Sequence, residues 1–410
     1  MTKIADLPPG GNADDAGRRG TPGEVFRVFL TLGLTSFGGP IAHLGYFRAA
    51  LVERRGWISD RGYAELVTLA QFLPGPASSQ VGFAMGLLRA GPLGALAAFV
   101  GFTLPSAIAM LAFAYGADVF DGPTGRGAVA GLKIVAVAIV AQAVWGMARS
   151  LCPDRERATI ALAAVLAVTA IAGAVGQVAA ITLGAVGGLV WCRGAPSAAT
   201  GSLAFGVSRR AGLASLALFL ILLVALPILH AATGSQGVAI VDAFYRAGAL
   251  VFGGGHVVLP LLEAETVRTG WVSADGFLAG YGMAQAMPGP LFTFAAYLGA
   301  VIEPATHRVL GAAIALAAIF LPGFLLLVGV LPFWTALRGR TAIQALMRGA
   351  NAAVVGILGA ALYDPVFTSA IVSPASFALA VLCFVLLMAW KAPPWLLVMV
   401  GGLGGILVAA

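Results

Sequence analysis

Long apolar stretches alternate along the chain with short polar or charged segments. Their lengths suit helices that cross the hydrocarbon core of a bilayer, which takes about 20 apolar residues. Thirteen such segments can be drawn, at 26–47, 64–88, 92–116, 127–148, 158–174, 176–192, 211–230, 244–262, 277–301, 309–332, 349–363, 371–389 and 394–410. No charge falls between Arg157 and Arg193. That interval is too long for one comfortable crossing, so Gly173-Ala174-Val175-Gly176 is expected to turn the chain between two.

The pattern occurs twice. Phe29, Gly33, Phe37, Gly38 and Gly39 match Phe244, Gly248, Phe252, Gly253 and Gly254 at an offset of 215. At 214, Gly56-Trp57-Ile58-Ser59 matches Gly270-Trp271-Val272-Ser273, and Gln71 with Pro74-Gly75-Pro76 matches Gln285 with Pro288-Gly289-Pro290. Leu104-Pro105 and Leu321-Pro322 follow at 217, Gly131 and Gly349 at 218, and Gly184, Gly187 and Gly188 fall on Gly401, Gly404 and Gly405. Offsets this steady mark an internal duplication. The predicted organisation is a disordered cytoplasmic tail over 1–24, an N-terminal repeat over 25–193, a linker with one extra transmembrane helix over 194–242, and a C-terminal repeat over 243–410.

The segment at 211–230 has no counterpart, and it sets the symmetry. Six segments plus one make an odd number of crossings before the second half starts, so the halves should face opposite ways. The arginines of the 149–157, 193–210 and 333–348 loops fit cytoplasmic positions, with Asp118, Asp121, Asp242 and Asp364 on the other side. The expected fold is an all-α polytopic membrane protein of two inverted repeats, as in many secondary transporters. If every segment crosses, Arg48, Arg54, Arg55 and Arg61 lie outside, against the positive-inside rule. Re-entrant hairpins in the first two segments of each half would return them inside and put Glu263, Glu265, Arg268 and Asp275 outside.

Composition agrees. Charged residues are 10% of the 410, against about 25% in soluble domains. This excludes a soluble enzyme, a disordered chain and a nucleic-acid binder. The net charge of +7 comes mostly from arginines in the inter-segment loops. Three scattered cysteines form neither a disulfide framework nor a zinc spacing, and the three lysines offer no Gly-Lys pair for a nucleotide-binding loop. No catalytic residue, metal site or cofactor is expected.

The most repeated motifs are also the poorest helix sequences. Phe37-Gly38-Gly39-Pro40 interrupts the first segment and Pro74-Gly75-Pro76 the second, with Gly253-Gly254 and Pro288-Gly289-Pro290 as mates. Broken backbone at membrane depth survives where protein or a watery cavity satisfies it. A half-helix starting after Pro76 would aim the amides of Ala77, Ser78 and Ser79 into such a cavity, and its mate after Pro290 adds Thr293. Helix N-termini suit anions. Gln71, Gln80 and Gln285 flank the breaks, and His43 and His256 follow them. Lys133, inside a hydrophobic segment, should face a partner or the pathway, and its mate Asn351 is also polar. A plain kink at Pro-Gly-Pro and a snorkelling Lys133 are the simpler alternatives. With almost no carboxylate at depth, this set favours an oxyanion over a cation.

Ser36-Phe37-Gly38-Gly39-Pro40-Ile41-Ala42-His43, Gly56-Trp57 and Gln71-Phe72-Leu73-Pro74-Gly75-Pro76-Ala77-Ser78-Ser79-Gln80 closely resemble the signature of the chromate ion transporter family. Phe252-Gly253-Gly254-Gly255-His256 and Met287-Pro288-Gly289-Pro290-Leu291 resemble its C-terminal copy. The resemblance implies the long-chain, two-domain form. It also implies export of chromate across a bacterial cytoplasmic (inner) membrane, resistance to chromate, and sulfate as a related anion. Partners would be a chromate or sulfate oxyanion and the lipid bilayer, no nucleic acid, and a second copy if the protein forms a homodimer. An oxyanion importer and an anion channel remain open alternatives of the same architecture. Gly255 in place of Pro40, and the lack of a basic mate for Lys133, suggest that the halves contribute unequally.

Overall fold

A computed structural model describes residues 20–116, 122–171, 173–193, 205–252, 255–302, 307–337 and 339–409. The described residues form helices and connections, with no β-strand among them. In the first repeat these are α1 (Pro22–Thr35), α2 (Gly39–Phe47, followed by a π-turn over Arg48–Glu53), α3 (Asp60–Phe72), α4 (Ala77–Tyr115), α5 (Pro123–Leu151), α6 (Arg155–Ala170) and α7 (Gly173–Trp191). The extra helix is α8 (Arg209–Thr233). The second repeat holds α9 (Gln236–Ala249), α10 (Val258–Thr266), α11 (Ala274–Ala286), α12 (Phe294–Val301), α13 (Arg308–Val330), α14 (Trp334–Leu337), α15 (Thr341–Ala361), α16 (Thr368–Ala370), α17 (Pro374–Met388) and α18 (Pro394–Ala409).

Six of the described helices are long and apolar enough to cross a membrane: Ala77–Tyr115, Thr124–Leu151, Gly173–Trp191, Arg209–Thr233, Arg308–Leu337 and Thr341–Ala370. The difference from thirteen hydrophobic segments has a local cause. Four of the segments are interrupted by their Gly and Pro motifs, one of them running on past its break into the next segment as the single helix α4, and others are only 15–16 residues long as helices. Helix α1 begins at Pro22, inside the segment expected to be a disordered tail. Thr21 caps it by accepting the Glu24 amide, and Pro suits the first turn. Residues 1–19 of that expected tail lie outside the described residues. Helix α9 likewise starts at Gln236, ahead of the expected boundary at 243.

The repeats are interlocked by exchanged helices. Helix α5 packs on α18, where a Cβ on Gly131 would run into the Gly401 carbonyl oxygen. Helix α15 packs on α7, where a Cβ on Gly349 would strike the Gly184 carbonyl oxygen. These contacts are equivalent under the sequence offsets, and small residues are what let the backbones approach so closely. A second group, α1–α4 with α8–α13, carries the breaks. Within it α1 lies along α4, with Gly33 against the Gly101 and Phe102 carbonyls. Helix α4 bends back at Ala90-Gly91, where Gly91 takes φ 66° and Gly86 meets Gly94.

The bend of α4 gathers other ends of the chain around it. Arg89 pairs with Glu24 at 3.0 Å, its guanidinium lies 5.3 Å from the Trp57 ring centre, and its carbonyl accepts the Gly20 amide at 2.9 Å. The start of α1, the α2–α3 connection and the α4 bend therefore meet at one end of the molecule. In the second repeat several acids that the loop reading left at the surface are buried in pairs. Asp242 (4% exposed) binds Arg246 at 2.6 Å, and Glu263 (6% exposed) binds Arg268 at 3.3 Å. Arg246 also approaches Glu265 at 3.5 Å.

The glycine contacts give a direct check. Gly349→Val should cost about 1–3 kcal/mol through overpacking and lower the melting temperature of the detergent-solubilised protein. Gly402→Ala, on the same helix as Gly401 but with open space around its would-be Cβ, should leave that temperature unchanged.

Candidate functional site at the helix breaks

The breaks expected from the Gly and Pro motifs are present. Helix α1 stops at Thr35, and Gly38 and Gly39 take φ 102° and 79°, a backbone that side chains with a Cβ rarely adopt. Pro40 then occupies the first turn of α2. Helix α3 stops at Phe72, Gly75 takes φ 122°, and Pro76 caps α4. In the second repeat α11 stops at Ala286, Gly289 takes φ 95°, and Pro290 precedes a tight turn over Leu291–Thr293 that leads into α12. Gly253 and Gly254 lie outside the described residues.

Reciprocal hydrogen bonds tie the breaks together. The Gly75 amide donates to the Val251 carbonyl at 2.7 Å, and the Gly289 amide donates to the Ser36 carbonyl at 2.9 Å. Gly75 and Gly289 are repeat mates, as are Ser36 and Val251, so the two bonds are one contact made twice. Both glycines are also sterically required. A Cβ on Gly75 would sit 3.0 Å from the Gly323 Cα, and one on Gly289 would sit 2.8 Å from the Ser106 hydroxyl. Pro40 and its mate Gly255 approach each other too, since a Cβ on Gly255 would lie 3.3 Å from the Pro40 ring.

Around this knot the first repeat gathers polar atoms. The first intrahelical bond of α4 runs from the Gln80 amide to the Pro76 carbonyl, so the Ala77, Ser78 and Ser79 amides fall outside the helix's own bonding. His43 Nδ1 lies 3.4 Å from the Ser78 hydroxyl. Gln80 Nε2 donates to the carbonyls of Pro74 (3.0 Å) and Gly323 (2.9 Å), bracing the turn against α13. Five buried polar atoms on the break segments and α4 of this repeat have no hydrogen-bond partner: Ser36 Oγ, His43 Nε2, Ser79 Oγ, Gln80 Oε1 and Thr103 Oγ1. Unpaired buried polar groups are costly and few in native proteins, so these are groups that a polar guest could satisfy. Gln71 ends α3 on an exposed position beside the same break.

The second repeat has the same backbone but different chemistry. Val251, Phe292, Phe294 and Phe320 stand where the first repeat has Ser36, Ser78, Gln80 and Thr103. The Thr293 hydroxyl donates to the Pro290 carbonyl within its own turn, and His256 Nδ1 meets the Tyr281 hydroxyl at 2.8 Å. Gln285 Nε2 is buried without a partner. Ser36 and Thr103 were not singled out by sequence reasoning. A position-by-position comparison of the repeats, looking for polar residues whose mates are apolar, would have found both.

Lys133 has a partner. Its ammonium donates to Asp275 Oδ1 at 2.7 Å, joining α5 of the first repeat to the start of α11 in the second. Asn351, its repeat mate, has a buried Oδ1 without a partner. Among the described residues, no hydrogen bond joins either side chain to Ser78 or to the other. Among the described residues no cluster of three or more His, Cys, Asp or Glu side chains could hold a metal.

The family model described as "Chromate transporter" matches residues 23–191 and again residues 238–406. The chain belongs to the chromate transporter family. It is 30% identical over 345 residues to the "Chromate transport protein" of Pseudomonas aeruginosa, covering 83% of this chain and 80% of that protein. It is 29% identical over 348 residues to the "Chromate transport protein" of Cupriavidus metallidurans (83% and 81% covered). Identity is 28% over 364 residues to the "Probable chromate transport protein" of Synechococcus elongatus, with 83% of each chain covered. No solved structure matches the chain. Members of the chromate transporter family are transporters, not enzymes, and the two matches coincide with the two structural repeats. The long apolar helices make this member a multi-pass membrane protein.

The serines test the polar cluster. Hydrogen bonds to charged groups contribute about 1.5–3 kcal/mol each. Ser78→Ala combined with Ser79→Ala should therefore raise the apparent Michaelis constant for the transported anion by about tenfold or more. The test is anion uptake into vesicles, with the amount of folded protein measured alongside; an unchanged constant would mean that the hydroxyls do not meet the anion.

Proposed function

We propose that the protein exports chromate from the cell across the bacterial cytoplasmic membrane, driven by the membrane potential with or without proton exchange, and so confers chromate resistance. The observation that carries this reading is the polar cluster at the first repeat's breaks. The α4 amino terminus, the Ser78 and Ser79 hydroxyls, His43 Nε2 and the Thr103 and Ser36 hydroxyls are all buried in this repeat, with His43 beside Ser78, and on this reading they face one oxyanion. Hydroxyls and free amides are donors, and a helix start carries partial positive charge, so the complement is an oxyanion. Phe37, Gly38, Gly39 and Pro40 shape the approach to it, and Gln71, Pro74, Gly75, Pro76 and Gln80 form its far wall. The second-repeat mates, Pro288, Gly289, Pro290, Thr293, Gln285 and His256, close the site mainly through backbone and apolar surface. The names of the relatives point to chromate among the oxyanions.

The inverted arrangement belongs to the same reading. The contacts of Arg89 with Glu24, Trp57 and Gly20 favour re-entrant hairpins in the first repeat, with both of its breaks approached from the end that holds the α2–α3 connection. Arg48, Arg54, Arg55 and Arg61 then lie in the cytoplasm, as the positive-inside rule requires. The Lys133–Asp275 pair favours the mirror arrangement in the second repeat. Lys133 sits nearer the start than the end of α5, the end that follows the Asp118 and Asp121 loop.

Energetics sets the direction. Chromate is largely a dianion near neutral pH. One charge moved through 100 mV is worth about 2.3 kcal/mol, so a dianion gains roughly 4.6 kcal/mol on leaving a cell that is negative inside. That supports a concentration ratio on the order of 10³ without ATP. Import of the same ion would need co-transported cations.

Purified protein in liposomes loaded with chromate tests this. An interior-negative potential should speed chromate efflux and an interior-positive one should slow it. Efflux blind to the sign of the potential would remove the electrical drive. Sulfate moved in preference to chromate would replace the substrate, and a flux that never saturates would indicate a channel. In a sensitive host, expression should lower cellular chromium, whereas an importer would raise it.

A further inference from the structure

The two repeats differ in packing as well as in chemistry. Helix α11 lies on α5 and α18: Leu278 is fully buried, Gly282 sits against the Leu132 carbonyl, and Asp275 holds Lys133. Helix α10 lies on α7 and α15, where Gln177 Nε2 donates to the Pro260 carbonyl at 2.7 Å. By the repeat offsets α3 corresponds to α11, and α15 to α5. Yet among the described residues α3 has no comparable packing on α15 or α7, and α2 has none on α5 or α18.

One face of α3 is bare as a result. Arg61, Ala64, Thr68 and Gln71 are exposed, and their spacing puts them on a single side of the helix, running from the α2–α3 connection to the Pro74-Gly75-Pro76 break. Their repeat mates are Asp275, Leu278, Gly282 and Gln285, the side of α11 that faces α5. An Arg, a Thr and a Gln turned to lipid would be costly at depth, so this face is wet or covered by protein.

We propose that the bare face of α3 lines the cytoplasm-side access path for the oxyanion, which passes the Arg61 charge and the Gln71 amide on its way to the cluster at Ser78. The structure is then a cytoplasm-facing state in which the path reaches the break while the cluster itself is covered, with the Lys133–Asp275 pair closing the opposite side. In the other state α3 covers its bare face by packing on α15, which brings Arg61 to the unpaired Asn351 carbonyl, while α11 leaves α5 and the Lys133–Asp275 pair opens. This rests on the transport reading and inverted arrangement above. It adds a site, a route and an ordered pair of contacts that exchange. The occupant of the bare face is thus α15 of the same chain, because the mate face of α11 is covered by the mate of α15.

Thiol accessibility tests it in the full-length protein, with Cys152, Cys192 and Cys383 first replaced by Ser. In inside-out vesicles, Ala64→Cys and Thr68→Cys should react with a charged, membrane-impermeant thiol reagent, and in right-side-out vesicles they should be protected. The mate Leu278→Cys should stay unlabelled in the resting protein from either side. Failure of both α3 positions to label from the cytoplasmic side would overturn the path. So would a short crosslinker joining Thr68→Cys to the same residue of a second copy, which would make the face a subunit interface. In a Lys133→Cys, Asp275→Cys pair, bridging with a reducible bifunctional thiol reagent that spans the former ion pair should abolish transport, and reductant should restore it. A crosslinked protein that transports at the uncrosslinked rate would defeat the exchange of contacts. The expected labelling in a protein that moves no chromate would keep the path and remove only the chromate reading.

Discussion

Two backbone hydrogen bonds, Gly75 to Val251 and Gly289 to Ser36, are the constraint around which the molecule is arranged. A break in a helix frees amides and carbonyls that lipid cannot satisfy, and here each repeat's break satisfies part of the other's. The exchange requires a left-handed residue with no side chain at both donors, which is why glycine stands between two prolines in each copy. It also explains the flanking prolines: they stop the incoming helix and start the outgoing one without needing an amide of their own. Beside these locked breaks, α5 packs on α18 and α15 on α7.

Duplication has given this centre one backbone and two chemistries. Where the first copy has Ser36, Ser78, Gln80 and Thr103, the second has Val251, Phe292, Phe294 and Phe320. On the proposed reading, an anion held by donors on one side and by aromatic and aliphatic surface on the other would be desolvated unevenly. Its charge would be met by helix amides and hydroxyls rather than by a fixed cation. A site without a full positive charge binds a dianion less tightly than an arginine cage would, and it also releases it more readily, which suits turnover better than storage.

Much of this was legible in the residues. Steady offsets exposed the duplication, and the Gly and Pro motifs located the breaks, because those residues announce backbone geometry directly. What stayed hidden depended on contacts between distant parts of the chain. Lys133 is expected to face a partner or the pathway, but nothing local indicates that the partner is Asp275 of the other repeat. Asp242 and Glu263 read as surface acids, since pairing with Arg246 and Arg268 is what makes their burial tolerable. Ser36 and Thr103 were passed over because single hydroxyls are common in membrane helices, and only the neighbouring unpaired atoms distinguish them. Hydropathy counted thirteen segments because it averages across a break that the backbone does not cross as one helix.

The exchange of helices between repeats has a consequence for how the protein is made. Gly131 of α5 waits for Gly401 and Gly405, and these leave the ribosome only once α18 is made. Until then the grooved side of α5 must rest against other surfaces, whereas α7 finds its partner α15 sooner. Helix α18 therefore acts as a late clasp, and a chain cut short before it would lack the surface that seals its earlier half.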